Sequence, residues 1–389
     1  MSWKAVTLGD ITSNIQTGPF GSQLHQSDYS EEGTPVVMPK DLVNGHISEA
    51  SIARVSEDHV NRLSRHKIEV GDILYSRRGD VGRCAFATDV EQGWLCGTGC
   101  LRVTIDKSKA VPKFVFYQLQ KAETVGWVEK HAVGATMLNL NTSILSSIPI
   151  EMPSIEEQQI IVDMLSAYDN LIENSQKQIK LLEEAAQRLY KEWFVDLRFP
   201  GHETTPITDG IPEGWEERNI DAVFSVQYGK MLPTSLLVPN GEYPVYGANG
   251  VIGHYTKANC FDYVTLITSR GNGSGDVLRT HHKTSFVTNN SFVVLPKETY
   301  VHLELPFAYH LMKTLDFKSI CTGSAQPQLT NKSISMLNVI VPTPAVVKAF
   351  CNMANPMFAK IELLYKQFQV AAEARDRLLP KLMNGEIEV

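Results

Sequence analysis

Residues 161–193 read I-V-D-M-L-S-A-Y-D-N-L-I-E-N-S-Q-K-Q-I-K-L-L-E-E-A-A-Q-R-L-Y-K-E-W. Within them Ile161, Leu165, Tyr168, Ile172, Ser175, Ile179, Leu182, Ala186, Leu189 and Trp193 step by four and three in strict turn. That spacing lines one face of an α-helix with the seam of a coiled coil, and only Ser175 breaks its apolar character. Just upstream, Ser154 is followed three residues on by Glu157, a capping-box signal for a helix start. The same seam recurs late in the chain as Phe350, Ala354, Met357, Ile361, Leu364, Phe368, Ala371, Arg375, Leu378 and Leu382, with Arg375 the exception. Asn355 and Pro356 fall inside it, and proline lacks an amide donor and collides with the preceding turn, so a kink or a restart is expected there.

What precedes each seam is duplicated as well. Trp3 and Leu8 match Trp215 and Ile220 at equal spacing, Arg78-Gly79 matches Arg270-Gly271, and residues 134–153 align without a gap to residues 323–342. The first copy carries extra residues between its Trp and its Arg-Gly, so each half has a shared frame and a private insert. Short β-branched and aromatic runs at residues 72–76, 99–105, 264–268 and 291–295 alternate with Gly, Asn and Pro, which reads as two strand-rich globular halves.

The order is therefore domain, helix, domain, helix. Two seams of one period in a single chain most simply pack on each other, the second helix returning antiparallel beside the first. The expected fold class is α+β, with two pseudo-twofold-related strand-rich domains separated by an antiparallel coiled coil of two long helices. A helix of some forty residues is on the order of 60 Å long, and a 60 Å ruler covers about 17 base pairs of duplex DNA. Two diverged domains on such a ruler suit two separated, unlike half-sites.

Composition bounds the reading. With 389 residues, 43% of them hydrophobic, the chain can bury two or three domain cores. Cys84, Cys96, Cys100, Cys260, Cys321 and Cys351 form no C-x-x-C pair, and no histidine completes a zinc-ligand spacing, so buried reduced thiols and no metal are expected. The first ten residues carry no leader pattern and no segment approaches a membrane span, which points to the cytoplasm. A net charge of −7 opposes a protein that holds nucleic acid by phosphate neutralisation alone. It is compatible with local basic patches, or with partners that supply phosphate contacts.

S-I-E-E-Q-Q-I-I at residues 154–161 after I-P-I-E-M-P, G-S-A-Q-P-Q-L-T at 323–330, V-Y-G-A-N-G-V-I-G at 245–253, I-T-S-R-G-N-G-S-G at 267–275 and T-G-P-F-G-S at 17–22 together resemble the specificity subunit of type I restriction–modification systems. The resemblance runs from Trp3 to Leu382 and is strengthened by the two-copy arrangement. It implies target-recognition domains at residues 1–152 and 200–342, a central conserved helix at 153–199 and a C-terminal conserved helix at 343–389. It further implies a non-catalytic chain that binds double-stranded DNA and directs adenine methylation and ATP-dependent cleavage. The partners implied are two methylation subunits using S-adenosylmethionine and motor-nuclease subunits using ATP and Mg, with no cofactor in this chain. One departure is T-P-A-V-V-K at 343–348, where the first helix has S-I-E-E-Q-Q.

Base edges are read by side chains that make two parallel hydrogen bonds, Arg to guanine and Asn or Gln to adenine. On that ground the DNA-contact candidates are Lys40, Arg77, Arg78 and Arg83 in the first domain, and Gln227, Tyr228, Lys230, Asn249, Arg270, Asn272, Asn289 and Asn290 in the second. Arg78 and Arg270 are common to both copies and suit phosphate or structural contacts as well as base contacts. Residues private to one copy are better placed to distinguish sequences. The Gly271–Gly275 run lacks a P-loop lysine and reads as a turn. T-G-P-F-G-S reads as a turn or as a loop pressing Phe20 on DNA.

Trp193 and Phe194 beside the seam offer more apolar surface than two helices need, which suggests that another subunit packs there. Asn355-Pro356-Met357-Phe358 resembles the N-P-P-F element of amino-methyltransferases, but it lacks the second proline and no glycine-rich cofactor strand accompanies it. An enzyme that methylates by itself, and a scaffold whose two domains bind protein, are the competing classes.

Overall fold

The computed structural model describes residues 3–134, 137–323 and 327–389. It divides into two compact units, Met1–Leu171 with Ala371–Val389, and Ile172–Val370. Strands form where β-branched and aromatic residues run together. I-L-Y-S at Ile73–Ser76 and T-L-I-T at Thr265–Thr268 are buried along their whole length, as strands covered on both faces must be.

In the first unit an antiparallel sheet is ordered Thr12–Thr17, Cys100–Ile105, Ile73–Ser76, Cys84–Phe86. A second sheet contains the parallel pair Thr34–Val37 and Leu95–Cys96 with Ala53–Val55 alongside. A ribbon pairs Lys4–Thr7 with Pro149–Met152. Leu8, Ile73, Tyr75, Leu101, Phe114 and Tyr117 fill the core. Each such side chain contributes roughly 1.5–3 kcal/mol by leaving water.

The second unit repeats the main sheet, the parallel pair and the ribbon. Its main sheet is ordered Phe224–Tyr228, Ser291–Pro296, Thr265–Thr268, Val277–Arg279. The parallel pair is Tyr243–Gly247 with Phe286–Val287, flanked by Gly250–Tyr255. The ribbon pairs Glu216–Asn219 with Asn338–Val341. The extra residues of the first copy form the hairpin Leu42–Val43/His46–Ile47 and the helix Glu57–Arg62. In the second copy Tyr243–Gly247 joins Gly250–Tyr255 by a tight turn instead.

The long helices are Ile155–Tyr190 and Pro344–Met383. Ser154 Oγ accepts the Glu157 amide at 3.2 Å and so supplies one arm of the capping box. Pro344 opens the second helix at its first position, where a missing N–H costs nothing. Each unit holds part of both helices. In the first, Arg375 reaches Asp169 at 3.2 Å, while Ile161 and Leu165 share a cluster with Leu378, Leu382 and Met383. In the second, Tyr190 and Trp193 meet Phe350 at ring distances of 5.8 and 6.1 Å, and Glu183 and Glu362 converge on Arg279. In both, the partner's number falls as the first helix's number rises, so the helices pair antiparallel. Along the first seam Ile161, Leu165, Ile172, Ser175, Ala186 and Trp193 are buried, and Tyr168, Ile179, Leu182 and Leu189 are half-buried. Along the second, Phe350, Ala354, Ile361, Leu364, Ala371 and Leu382 are buried, and Met357, Phe368, Arg375 and Leu378 are half-buried.

One expectation narrows and another changes. No restart occurs at Pro356, since Pro344–Met383 is one uninterrupted helix. Pro356 and Asn352, whose carbonyl loses its donor, both lie on the exposed side of the helix, where an unpaired acceptor costs least. Trp193 and Phe194 are not surplus surface. Phe194 packs on Trp215, Phe307 and Phe350 at ring distances of 5.8, 5.0 and 5.2 Å, and Trp193 is 8% exposed, so the second lobe covers them itself.

Among the described residues no helix is long and apolar enough to cross a membrane, and no cluster of His, Cys, Asp and Glu is placed to hold a metal. All six cysteines are free, five of them buried.

Candidate nucleic-acid interface

Strand register brings several loops of each lobe to one edge of its main sheet. In the first unit Thr17 lies opposite Leu101 and Cys100 opposite Ser76, so the segments after Thr17, before Cys100 and after Ser76 meet there. The Gly18 amide donates to the Cys100 carbonyl at 2.9 Å, and the Arg77 amide to the Gly99 carbonyl at 2.8 Å. A Cβ on Gly18 would stand 1.9 Å from the Gly97 carbonyl oxygen, so only glycine allows this approach. The edge carries Phe20, half exposed, with the Arg77 guanidinium 5.7 Å from its ring centre.

The candidates of this lobe differ in freedom. Arg78 is exposed, and its backbone bridges to Asn139. Arg77 is half-buried, with Nε lacking a partner among the described residues. Arg83 is held by Asp80 at 2.7 Å, which offsets its charge. Lys40 is exposed, and its ammonium donates to the Ser51 carbonyl at 2.7 Å.

In the second unit Tyr228 lies opposite Phe292 and Thr268 opposite Ser291. The Gly229 amide donates to the Ser291 carbonyl at 3.0 Å, the counterpart of the Gly18 bond. The Lys230 amide donates to the Val287 carbonyl and its carbonyl accepts from Asn289, both near 3 Å, at 3.0 and 3.1 Å. Thr268 Oγ1 donates to the Ala248 carbonyl at 2.5 Å, bringing the loop with Asn249 to the same edge. Gln227, Tyr228, Lys230, Asn249, Arg270 and Asn272 are exposed there, and Asn289 and Asn290 half-buried. The Tyr228 ring rests on Phe292 at 4.2 Å, and its hydroxyl donates to the Leu329 carbonyl at 3.4 Å. The Gly271–Gly275 run is a turn, closed by amide bonds from Ser274 to Gly271 and from Asp276 to Gly273. Both its end glycines have positive φ.

All eight candidates of the second lobe thus converge on one loop edge, and Arg77 and Arg78 do so in the first. The Arg78 bridge to Asn139 and the Arg270 bridge to Gln328 are equivalent, which makes the shared Arg-Gly a framework position as far as its backbone is concerned. Ser324, Ala325 and Gln326 of the G-S-A-Q-P-Q-L-T motif, and Ala135 and Thr136 of the matching first-copy segment, lie outside the described residues.

The candidate set omits Met231, 79% exposed on this edge. Aligning T-G-P-F with Y-G-K-M, residues 17–20 with 228–231, is the sequence signal for it. The set also omits the ion pair of Arg279, 4% exposed, with Glu362, which fixes a strand of the second lobe to the second long helix. Burial pushes the Glu362 carboxyl up, but the His281 hydrogen bond and the Arg279 charge outweigh it and hold the group below its usual range. No periodicity argument marks such a pair.

Known proteins resemble the chain throughout. A family profile described as type I restriction modification DNA specificity domain matches residues 1–184 and 212–346. The type I restriction enzyme MjaIX specificity subunit of Methanocaldococcus jannaschii is 27% identical over 388 residues, covering 91% of this chain and 87% of that protein. The HindI specificity subunit of Haemophilus influenzae is 21% identical, with 99% of each chain covered. Among solved structures, the crystal structure of the S subunit of a type I restriction–modification system from M. genitalium superposes with a TM-score of 0.65 at 20% identity. It covers 98% of this chain and 96% of that one.

Proposed function

The chain belongs to the type I restriction–modification DNA specificity family, as a specificity subunit, and from that premise we propose that it reads a bipartite, asymmetric DNA site and directs the chemistry of its partners. Each lobe reads one half-site with its loop edge, residues 1–152 and 200–342 being the two target-recognition domains. The helical segments 153–199 and 343–389 form the spacer and the platform for two methylation subunits and for motor-nuclease subunits. S-adenosylmethionine, ATP and Mg act in those partners, and this chain contributes no catalytic residue.

The observation that carries the reading is one loop edge built twice on one topology with different side chains. Lys230, Asn249, Asn272, Asn289 and Asn290 stand exposed or half-exposed in the second lobe, and Arg77 and Arg78 in the first. Asn and Arg are the residues that distinguish adenine and guanine in the major groove. A shared framework with divergent loops is what two unlike half-sites require. The helix Ile155–Tyr190 has 36 residues, about 54 Å, which corresponds to about 16 base pairs of rise.

Methylation-sensitive sequencing of host DNA with and without the gene tests the proposal. A split adenine motif that disappears with the gene is expected, and an unchanged methylome overturns it. Inserting residues within 176–187 should then alter the unread spacer and leave both half-sites intact.

A further inference from the structure

The loop edges carry one feature that hydrogen-bond readout does not use. Gly18 and Gly229 occupy the same place in the two lobes, each directly after its edge strand. Each donates its amide to the first residue of the neighbouring strand, Cys100 or Ser291, and a Cβ on either would collide with a carbonyl oxygen, at 1.9 Å from Gly97 or 2.3 Å from Thr288. Two residues further on stand Phe20 and Met231, 53% and 79% exposed.

Exposure alone is common. Met336 is 70% exposed, but its counterpart in the ungapped repeat is Ser147. At positions 20 and 231 a large apolar side chain faces solvent in both copies, although the flanking residues have diverged from Pro19 to Lys230.

The backbone of Phe20 is held on both sides, and that of Met231 through its neighbour. The Phe20 amide donates to Gln23 Oε1 at 3.2 Å, and its carbonyl accepts from Gln23 and Leu24, the latter buried. Met231 follows Lys230, whose amide and carbonyl are both engaged. Each has a cation beside it, the Arg77 guanidinium 5.7 Å from the Phe20 ring centre and the exposed Lys230 next to Met231 in the chain. An apolar projection beside a cation matches a duplex, whose phosphates attract the cation while the base stack receives the apolar tip.

We propose that Phe20 and Met231 are a matched pair of wedges, each inserting at one base step of its half-site and unstacking it. The proposal rests on the DNA-reading assignment above. It adds a deformation component, so that each half-site includes a flexible step that the protein reads through its ease of opening. Arg77, which has the buried Ser269 as its counterpart in the other lobe, stiffens the Phe20 wedge through its guanidinium.

The test uses the full chain with its methylation subunits and duplexes selected by that complex from a randomised pool, with 2-aminopurine stepped through each half-site. Unstacking raises the probe's fluorescence. The wild type is expected to give one bright step per half-site. F20A should extinguish one and M231A the other, each weakening binding about tenfold, while F20L and M231L retain most of the signal. Tight selective binding with no bright step, or bright steps that survive both alanine variants, would overturn the proposal. So would variants that bind the duplex normally but fail to assemble with the methylation subunits, because the two side chains would then be protein contacts. A pool that returns no preferred sequence would remove the DNA-reading assignment itself, and the wedges with it.

Discussion

Replacing Glu362 with glutamine should destabilise the second unit by about 2–4 kcal/mol. Arg279 is 4% exposed, and Glu362 is its closest counter-charge. Removing one partner of a buried pair typically costs about 3–5 kcal/mol, since the survivor keeps a charge away from water. Part of that is recovered here. Glu183 stands 4.0 Å from the other guanidinium nitrogen, but it is half open to solvent and so offsets at most about 1 kcal/mol. The Phe358 ring, 4.6 Å from the guanidinium carbon, is present in both proteins and cancels from the difference. The pair makes a single contact, with Arg279 Nε and Nη2 and Glu362 Oε2 left without hydrogen bonds among the described residues. Replacing both partners, R279M with E362L, should therefore change stability by less than about 1 kcal/mol. Urea unfolding read through Trp193 and Trp215, both in this unit, provides the assay. A loss under about 1 kcal/mol for E362Q, or a double variant as unstable as the single one, would refute the reasoning.

Three further outcomes are expected. Burial, with the Lys313 and Arg279 charges, lowers His310 to about 3, and burial lowers His66 to about 4. The unfolded chain then binds protons more readily, so the stability these groups allow is complete above about pH 6.5 and is lost as pH falls toward their folded values; melting temperatures across that range should fall with acid, less steeply in H310L. Burial pushes the Cys84, Cys96 and Cys351 thiols up to about 12 and raises Cys100 and Cys260 as well, so a disulfide-exchange reagent should label only the half-buried Cys321 quickly in the native protein, and several fast thiols would contradict this burial. If Arg77, Arg78, Lys230 and Arg270 supply the phosphate contacts, DNA binding by this chain alone should vary with log salt with a slope of about −4, and a slope steeper than about −7 would mean that another surface binds.

The architecture was legible because it is written twice. Seam periodicity locates both long helices, since a helix buried on one face must repeat its apolar residues every three or four positions. The ungapped repeat at residues 134–153 and 323–342 locates equivalent bridges, Arg78 with Asn139 and Arg270 with Gln328. The loop edge was partly legible. Gly, Asn and Arg mark it, but which loops share an edge is set by strand order, which puts Thr17, Cys100 and Ser76 together across some eighty residues of chain. Solvent-face and core-face tests fail for single residues. Pro356 reads as a helix breaker until its exposure is known, and Trp193 and Phe194 read as surplus until the lobe that covers them is folded. Met231 escaped because an exposed methionine has no periodic partner, and its counterpart Phe20 emerges only when T-G-P-F is set against Y-G-K-M.

The same geometry answers the objection raised by the net charge of −7. In the second lobe the exposed acids Glu213, Glu216, Glu217 and Asp221 precede Phe224, where the edge strand begins, while Lys230 and Arg270 lie beyond its other end at Tyr228. At the first end Arg218 pairs with Glu216 and Lys297 reaches the Asp221 carbonyl, so acids outnumber cations there, while at the loop edge Asp276 is paired by Lys318 and Lys230 and Arg270 stand exposed. On the proposed reading, phosphates near the acidic end would be repelled and those near the loop edge attracted, so an acidic lobe would orient a duplex where a uniformly basic one would bind it on any face. Low general affinity is then part of the selectivity. On the proposed reading the energy that distinguishes a site comes from the few side chains at the loop edge, and it is these that differ between the two lobes while the framework beneath them does not.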